Sequence, residues 1–198
     1  RPRPGRRRLR RPVVPEVIHA ALDHRLADGR TARVRFTGRE DGDLFIGGER
    51  TALARRRAAL VDRPWTWLRQ VHADRVVVVG APGEAAGEEA DAAVTAVSDA
   101  VLAVHTADCA PIALVADGGA VAVAHAGWRG LADGVVAATV DRLRAVAPGP
   151  VRAVVGPLIG PECYEFGARD LQHVVDRLGP EVAGTTASGT PALDLPTG

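Results

Sequence analysis

Methionine is absent from the 198 residues, and one tyrosine, three phenylalanines and three tryptophans bring the aromatic share to only 4%. A core of large side chains is therefore excluded. The apolar share is still 46% and is dominated by alanine and valine, so the elements must pack closely on small side chains, with Trp65, Trp67 and Trp128 as the rare bulky anchors. No run approaches the ~20 apolar residues of a membrane helix, which argues against a membrane-spanning protein. A signal peptide needs an apolar stretch behind its basic region, yet Pro12 to Leu22 is interrupted by Pro15, Glu16 and His19. With no secretory signal, the two cysteines, Cys109 and Cys163, are expected as reduced thiols in a cytoplasmic protein.

Acidic residues are missing from the first eleven positions, seven of which are arginine. Without those seven charges the net +1 of the chain becomes −6 for residues 12–198. An acidic domain argues against a nucleic-acid-binding face and confines such binding, if any, to non-specific contacts of the arm. The expected organisation is a disordered Arg-rich arm over residues 1–11 and a single catalytic domain over 12–198, a length that suits one domain. Arg55, Arg56 and Arg57 are assigned to the solvent face of a helix.

Hydrophobic patterning places strands near Ala32–Phe36, Asp43–Ile46, Arg75–Val79, Ala92–Ala96, Val101–Val104, Ile112–Ala116, Ala120–Ala124 and Arg152–Val155. Helices are expected near Glu49–Val61, Leu131–Ala145 and Ala168–Leu178, and Gly118-Gly119 signals a hairpin. Neighbouring strands joined by turns, with helices clustered rather than alternating, favour an α+β fold over a doubly wound sheet.

The segment Val121 to Leu131, VAVAHAGWRGL, carries the most chemistry. An apolar strand runs into a glycine-flanked polar turn that starts at His125. Two more such junctions exist: Ala100 to Val104 leads into His105-Thr106-Ala107-Asp108-Cys109-Ala110-Pro111, and Gln70-Val71-His72 precedes the valine run 76–79. His72, Cys109 and His125 thus stand beside three strands, and three nitrogen or sulfur ligands with an open fourth position make a catalytic zinc site. Spacings of 37 and 16 residues match no zinc finger, so the three must converge through the fold. Spacing alone leaves the alternatives open: a cysteine buried as a small hydrophobe and satisfied or solvated histidines, or a cysteine hydrolase with Cys109 as nucleophile and His125 as base.

Four segments in order, Arg69-Gln70-Val71-His72, Ala90 to Thr95, Thr106 to Pro111 and His125 to Gly130, followed by Val155 to Gly167, are similar to the YlmD/YfiH family, also called the laccase-domain or multicopper polyphenol oxidoreductase family. The resemblance covers roughly residues 65 to 170, and it implies a mixed β-sandwich core with flanking helices. It also implies one zinc ion on His72, Cys109 and His125, with phosphorolysis of adenosine, inosine and methylthioadenosine and deamination of adenosine. The partners would be purine nucleosides and phosphate; the oligomeric state stays open. The family's older label makes a copper-dependent polyphenol oxidase the alternative, although six histidines and no methionine are few donors for several coppers. Departures are Ala73, where the family has glycine, an atypical stretch from Glu40 to Gly48, and an end at Gly198 short of the family's final helix and strand, which points to a truncated domain.

Roles follow from chemistry. Hydrolytic deamination needs a carboxyl group to shuttle protons, for which Asp108 and Asp91 are the candidates, and phosphorolysis needs a cationic clamp, for which Arg129 is the candidate ahead of Arg39 and Arg69. The bland alternatives are turn-capping carboxylates and a surface ion pair.

Overall fold

Alanines placed opposite one another explain how so few large side chains make a core. The computed structural model describes residues 22–198, so the Arg-rich arm expected over 1–11 lies outside the described residues. In chain order the strands are β1 (Leu22–Arg25), β2 (Thr31–Val34), β3 (Trp65–Trp67), β4 (Val76–Val78), β5 (Ala92–Thr95), β6 (Val101–Ala103), β7 (Ala110–Ala116), β8 (Val121–Ala126), β9 (Val151–Val155), β10 (Ala183–Thr185) and β11 (Pro191–Leu193). The α-helices are α1 (Arg50–Leu60), α2 (Trp128–Asp133), α3 (Val135–Val146) and α4 (Ala168–Leu178), with short 3-10 turns at Arg39–Asp41 and Pro180–Val182.

The central sheet has the order β4-β5-β8-β7-β9 and is mixed: β4 and β5 run parallel, and the other pairs are antiparallel. Ala92 faces Ala124 across one ladder and Ala110 faces Ala126 across the next. Such small residues let α3 settle on the sheet through Val135, Thr139 and Leu143, all fully buried and one helical turn apart. Burying one such leucine is worth roughly 1.5–3 kcal/mol. The opposite face, with Val77 and Ala93, packs with Leu68, Leu102 and Val104 in and beside the parallel pair β3-β6. Sheet facing sheet on one side and a helix on the other gives the expected α+β sandwich core with flanking helices. A third cluster, Phe166, Val174, Val182, Leu193 and Leu195, seats α4 against the β10-β11 hairpin.

Several expectations need correction. Asp43–Ile46 is a loop rather than a strand, because the Asp43 carboxylate accepts from the Phe45 N–H at 2.8 Å and glycines flank the segment, leaving Phe45 64% exposed. The helix expected over Leu131–Ala145 is two helices, α2 starting earlier at Trp128 and α3 following Gly134, whose left-handed φ of 95° ends the first. The strands β1, β3, β10 and β11, three or four residues each, are not among the expected strands. Arg55 and Arg56 are exposed, but Arg57 shares a face with Leu53 and Leu60 and turns inward. Within the described residues no helix is long and apolar enough to cross a membrane.

Candidate metal centre

All three predicted ligands meet at one end of the central sheet. Cys109 immediately precedes β7, His125 is the penultimate residue of β8, and the antiparallel register sets Ala110 against Ala126, so thiol and imidazole are delivered side by side. His72 comes from the turn before β4. One donor atom from each of the three lies within 4.8 Å of the others, with Cys109 Sγ 3.8 Å from His72 Nε2. Among the described residues this is the group of His, Cys and carboxylate side chains placed to hold a metal ion. Zinc bonds of ~2.0–2.3 Å at tetrahedral angles put ligand atoms about 3.5 Å apart, so the three fit one ion with small adjustments and leave a fourth position.

The turn that carries His72 is built around a buried anion. Asp91, just before β5 and fully buried, accepts the backbone N–H groups of Val71 (3.1 Å), His72 (3.0 Å) and Ala73 (2.9 Å). Three consecutive N–H groups converging on one carboxylate form an anion-binding nest. That nest offsets the cost of His72's left-handed φ of 61°, which is on the order of 1–2 kcal/mol for a residue with a Cβ. Asp91 Oδ1 also accepts from His125 Nδ1 at 2.8 Å, so Nε2 of His125 is the nitrogen turned to the cluster with its lone pair free. Burial alone would raise the Asp91 carboxyl, but these hydrogen bonds hold it below the ordinary value.

Four bonds occupy the roughly four acceptor positions of a carboxylate. Asp91, expected as a candidate proton shuttle, is fully buried with its acceptor positions filled, and it binds the His72 turn to His125. Gln70 joins the third ligand. Its amide donates to the His105 carbonyl and accepts the His105 N–H, both at 2.7 Å, tying the His72 turn to the segment that leads into Cys109.

Burial, with the neighbouring His72 ring, pushes His125 down against the pull of Asp91, which favours the neutral imidazole a metal requires. Burial, then Asp108 and Asp91, push the Cys109 thiol up. Metal binding must therefore displace the thiol proton. A cysteine nucleophile is activated by the opposite shift, and the imidazole at 3.8 Å from the sulfur is His72 rather than the expected His125.

Gly127 completes the cradle. A Cβ on it would lie 2.4 Å from His72 Cδ2 and 3.1 Å from Cys109 Sγ, so only glycine lets the chain turn into α2 this close to the ligands. Gly127→Ala should leave the fold intact but displace His72, lowering zinc affinity at least ~10-fold, as disturbed ligand geometry does. Competition with a chromogenic chelator measures it, and unchanged affinity would show that the ligands do not converge on one ion.

Beyond the three ligands, Asp108 is exposed, its carbonyl accepting from Ile159 N at 2.9 Å. Arg129 is exposed, with its guanidinium carbon 4.4 Å from the centre of the Trp128 ring and no ion pair to a described residue. Trp128 meets Phe166 and His173 edge-on. Arg69 is paired with Glu89 at 2.5 Å, and Arg39 stands in the exposed 3-10 turn. Tyr164 received no role from the sequence, although it lies in the fifth motif segment. Burial, then Cys109 and Asp108, raise its phenol while Arg129 opposes them, so its ring stands among the site's charges.

The arrangement has relatives. Residues 38–198 match the family described as multi-copper polyphenol oxidoreductase laccase. The chain belongs to this family. A Xylella fastidiosa protein named purine nucleoside phosphorylase is 47% identical over 116 residues, covering 56% of this chain and 44% of that protein. A Haemophilus influenzae protein of the same name is 37% identical over 168 residues, 82% of this chain and 66% of that one. The crystal structure of YlmD from Geobacillus stearothermophilus superposes with a TM-score of 0.65 at 32% identity, over 77% of this chain and 64% of that chain. The chain thus spans between about half and two thirds of the length of these family members.

Proposed function

We propose that the protein to which this chain belongs is a zinc-dependent purine nucleoside phosphorylase. The observation that carries this reading is the three-donor His72-Cys109-His125 cluster, with an exposed Arg129 four residues beyond His125 that has no ion pair among the described residues, in a family whose named relatives are purine nucleoside phosphorylases. Zinc held there supplies a Lewis acid with one exchangeable position. Arg129 presents a planar fork suited to phosphate, and Trp128 beneath it fixes the fork's plane. Tyr164, held as the neutral phenol, donates a hydrogen bond to the purine as the glycosidic bond breaks. Asp108 faces the positive charge that develops on ribose as phosphate oxygen bonds to C1.

Inosine, adenosine and methylthioadenosine are the expected substrates. Adenosine deamination is a second activity of the same site, favoured by one observation: an exposed carboxylate, Asp108, adjoins the ligand cluster, as hydrolytic deamination requires. The copper oxidase reading is weaker. Among the described residues His24 pairs with Asp117, His173 meets Trp128 edge-on and His105 is not one of the converging donors, leaving two histidines and a thiol for a metal, the donor set of a single zinc.

Inosine cleavage by the whole protein should require inorganic phosphate and release ribose 1-phosphate. Arg129→Ala should cut phosphorolysis ~10–100-fold, the loss of one charge-assisted bidentate contact, with a smaller effect on deamination, which needs no anion. Chromatography of the products checks both. Cleavage without phosphate, or phenol oxidation with no nucleoside turnover, would defeat the reading.

A further inference from the structure

Three buried side-chain nitrogens have no hydrogen-bond partner among the described residues, Nε and Nη2 of Arg57 and Nδ1 of His105, and the two residues are near enough for the Arg57 charge to act on the His105 ring. Buried polar groups are satisfied almost everywhere in folded proteins, and an orphaned charged donor is the costliest exception. Two adjacent orphaned donors on one guanidinium indicate a missing partner.

Its chemistry can be read from the walls. Arg57, on the inner face of α1, has its guanidinium carbon 5.5 Å from the ring centres of both Trp65 and Trp67. These alternate residues lie on one face of β3 and serve the faces of the cation. The in-plane edge is left. Nε and Nη2 are the pair whose N–H bonds run parallel, the side-on fork that takes two oxygens of one planar group. His105 is fixed from behind, since Gln70 occupies both its backbone groups, and its ring nitrogen adds one more polar contact. Burial and the Arg57 charge push His105 down, so the neutral imidazole leaves a single positive charge.

No carboxylate of the described residues pairs with Arg57. Arg63, in the adjoining groove, is paired with Asp99. That groove, about 370 Å³ and lined by Ala54, Arg57, Ala58, Asp62, Arg63 and Trp65, leads to Arg57 from solvent.

We propose that Arg57 and His105, between α1 and β3, form a binding site for the carboxylate of a small organic acid, separate from the metal centre. A planar slot with one positive charge suits a carboxylate better than a tetrahedral phosphate. The orphaned nitrogens are closed to solvent, so entry requires the Arg57 side chain to shift past Trp65, and binding perturbs both indoles.

The test is titration of the 198-residue protein with formate, acetate and inorganic phosphate at constant ionic strength, with chloride as control. Tryptophan emission and the Arg57 Nε–H resonance are followed. Formate and acetate should shift both saturably, with phosphate at least ~10-fold weaker and chloride without effect. Arg57→Lys keeps the charge but loses the fork, and should weaken carboxylate binding ~10-fold or more, as loss of a bidentate pair does. An Arg57 Nε–H signal that stays in place, an equal response in Arg57→Lys, or phosphate binding as tightly as acetate would each overturn the proposal; a trapped water as the missing partner gives the first of these. Should Arg57→Lys fail to fold, the assigned resonance in the unaltered protein decides alone. Nucleoside turnover plays no part in the readout, so the result is independent of the proposed activity.

Discussion

Asp91→Asn should fold, melt well below the parent and bind zinc ~10–100-fold more weakly. The asparagine keeps the size of the aspartate but has one oxygen and an NH₂ that cannot accept. Wherever the amide points, half of the four bonds are lost: either Val71 and Ala73, or His72 and His125, face a donor instead of an acceptor. Each buried donor left unsatisfied costs ~1–3 kcal/mol, so a loss near ~3 kcal/mol is expected, which is ~6–12 °C in Tm for a domain of this size. The fall in metal affinity has a separate origin. The His72 backbone loses what holds its left-handed turn, and His125 loses what fixes its tautomer, the usual consequence of removing a partner behind a metal ligand. Asp91→Ala removes all four bonds and approaches the total stability of ~5–15 kcal/mol typical of a domain. Calorimetry of the metal-free protein and chelator competition separate the two effects. If Asp91→Asn kept its melting temperature and zinc affinity while losing turnover, Asp91 would be a proton-transfer group after all and the nest would be incidental.

The ligands were legible before the structure because each stands in a polar segment beside an apolar run, His125 where one ends, Cys109 between two and His72 just before one. Strand ends are where a sheet can present side chains to a ligand without burying them in its own core. The hairpin at Gly118-Gly119 and the limits of α4 were legible for a related reason: glycine doublets and strong amphipathic periods act locally. What could not be read were effects that travel through space. Nothing local marks Asp91 as the acceptor for three N–H groups about twenty residues upstream, and a carboxylate at a strand end reads equally well as a turn residue or an acid. Gly134 sits inside an unbroken period of apolar residues, and its left-handed φ, which separates α2 from α3, leaves no mark in that pattern. Arg57 looks like the third residue of a solvated run, and only the two rings of β3 give it a reason to turn inward. Tyr164 lacks any pattern of its own: its neighbours Cys109, Asp108 and Arg129 come from two other segments.

Cys109→Ala should reduce bound zinc from about one per chain to a small fraction while leaving the melting temperature of the metal-free protein almost unchanged. Thiolate is the donor with the strongest claim on zinc in this set, and two neutral imidazoles without it form a weak site. Folding does not depend on the ion in the way a zinc finger's does. The ligands are held by Asp91 and Gln70, and the sheet beneath them has its own buried core on both faces. The thiol is only half-buried, and because its acidity is weakened it is uncharged in the metal-free protein, so its removal unpairs no charge and any change in the apo protein should be small. Metal analysis by mass spectrometry after purification under metal-limited conditions, with added zinc back-titrated, gives the occupancy. Cobalt(II) substitution gives an independent reading, because a sulfur-to-cobalt charge-transfer band should appear in the parent and vanish in Cys109→Ala. Full zinc occupancy in the variant, or several copper ions per chain in the parent, would remove Cys109 from the ligand set and with it the single-metal reading of the whole site.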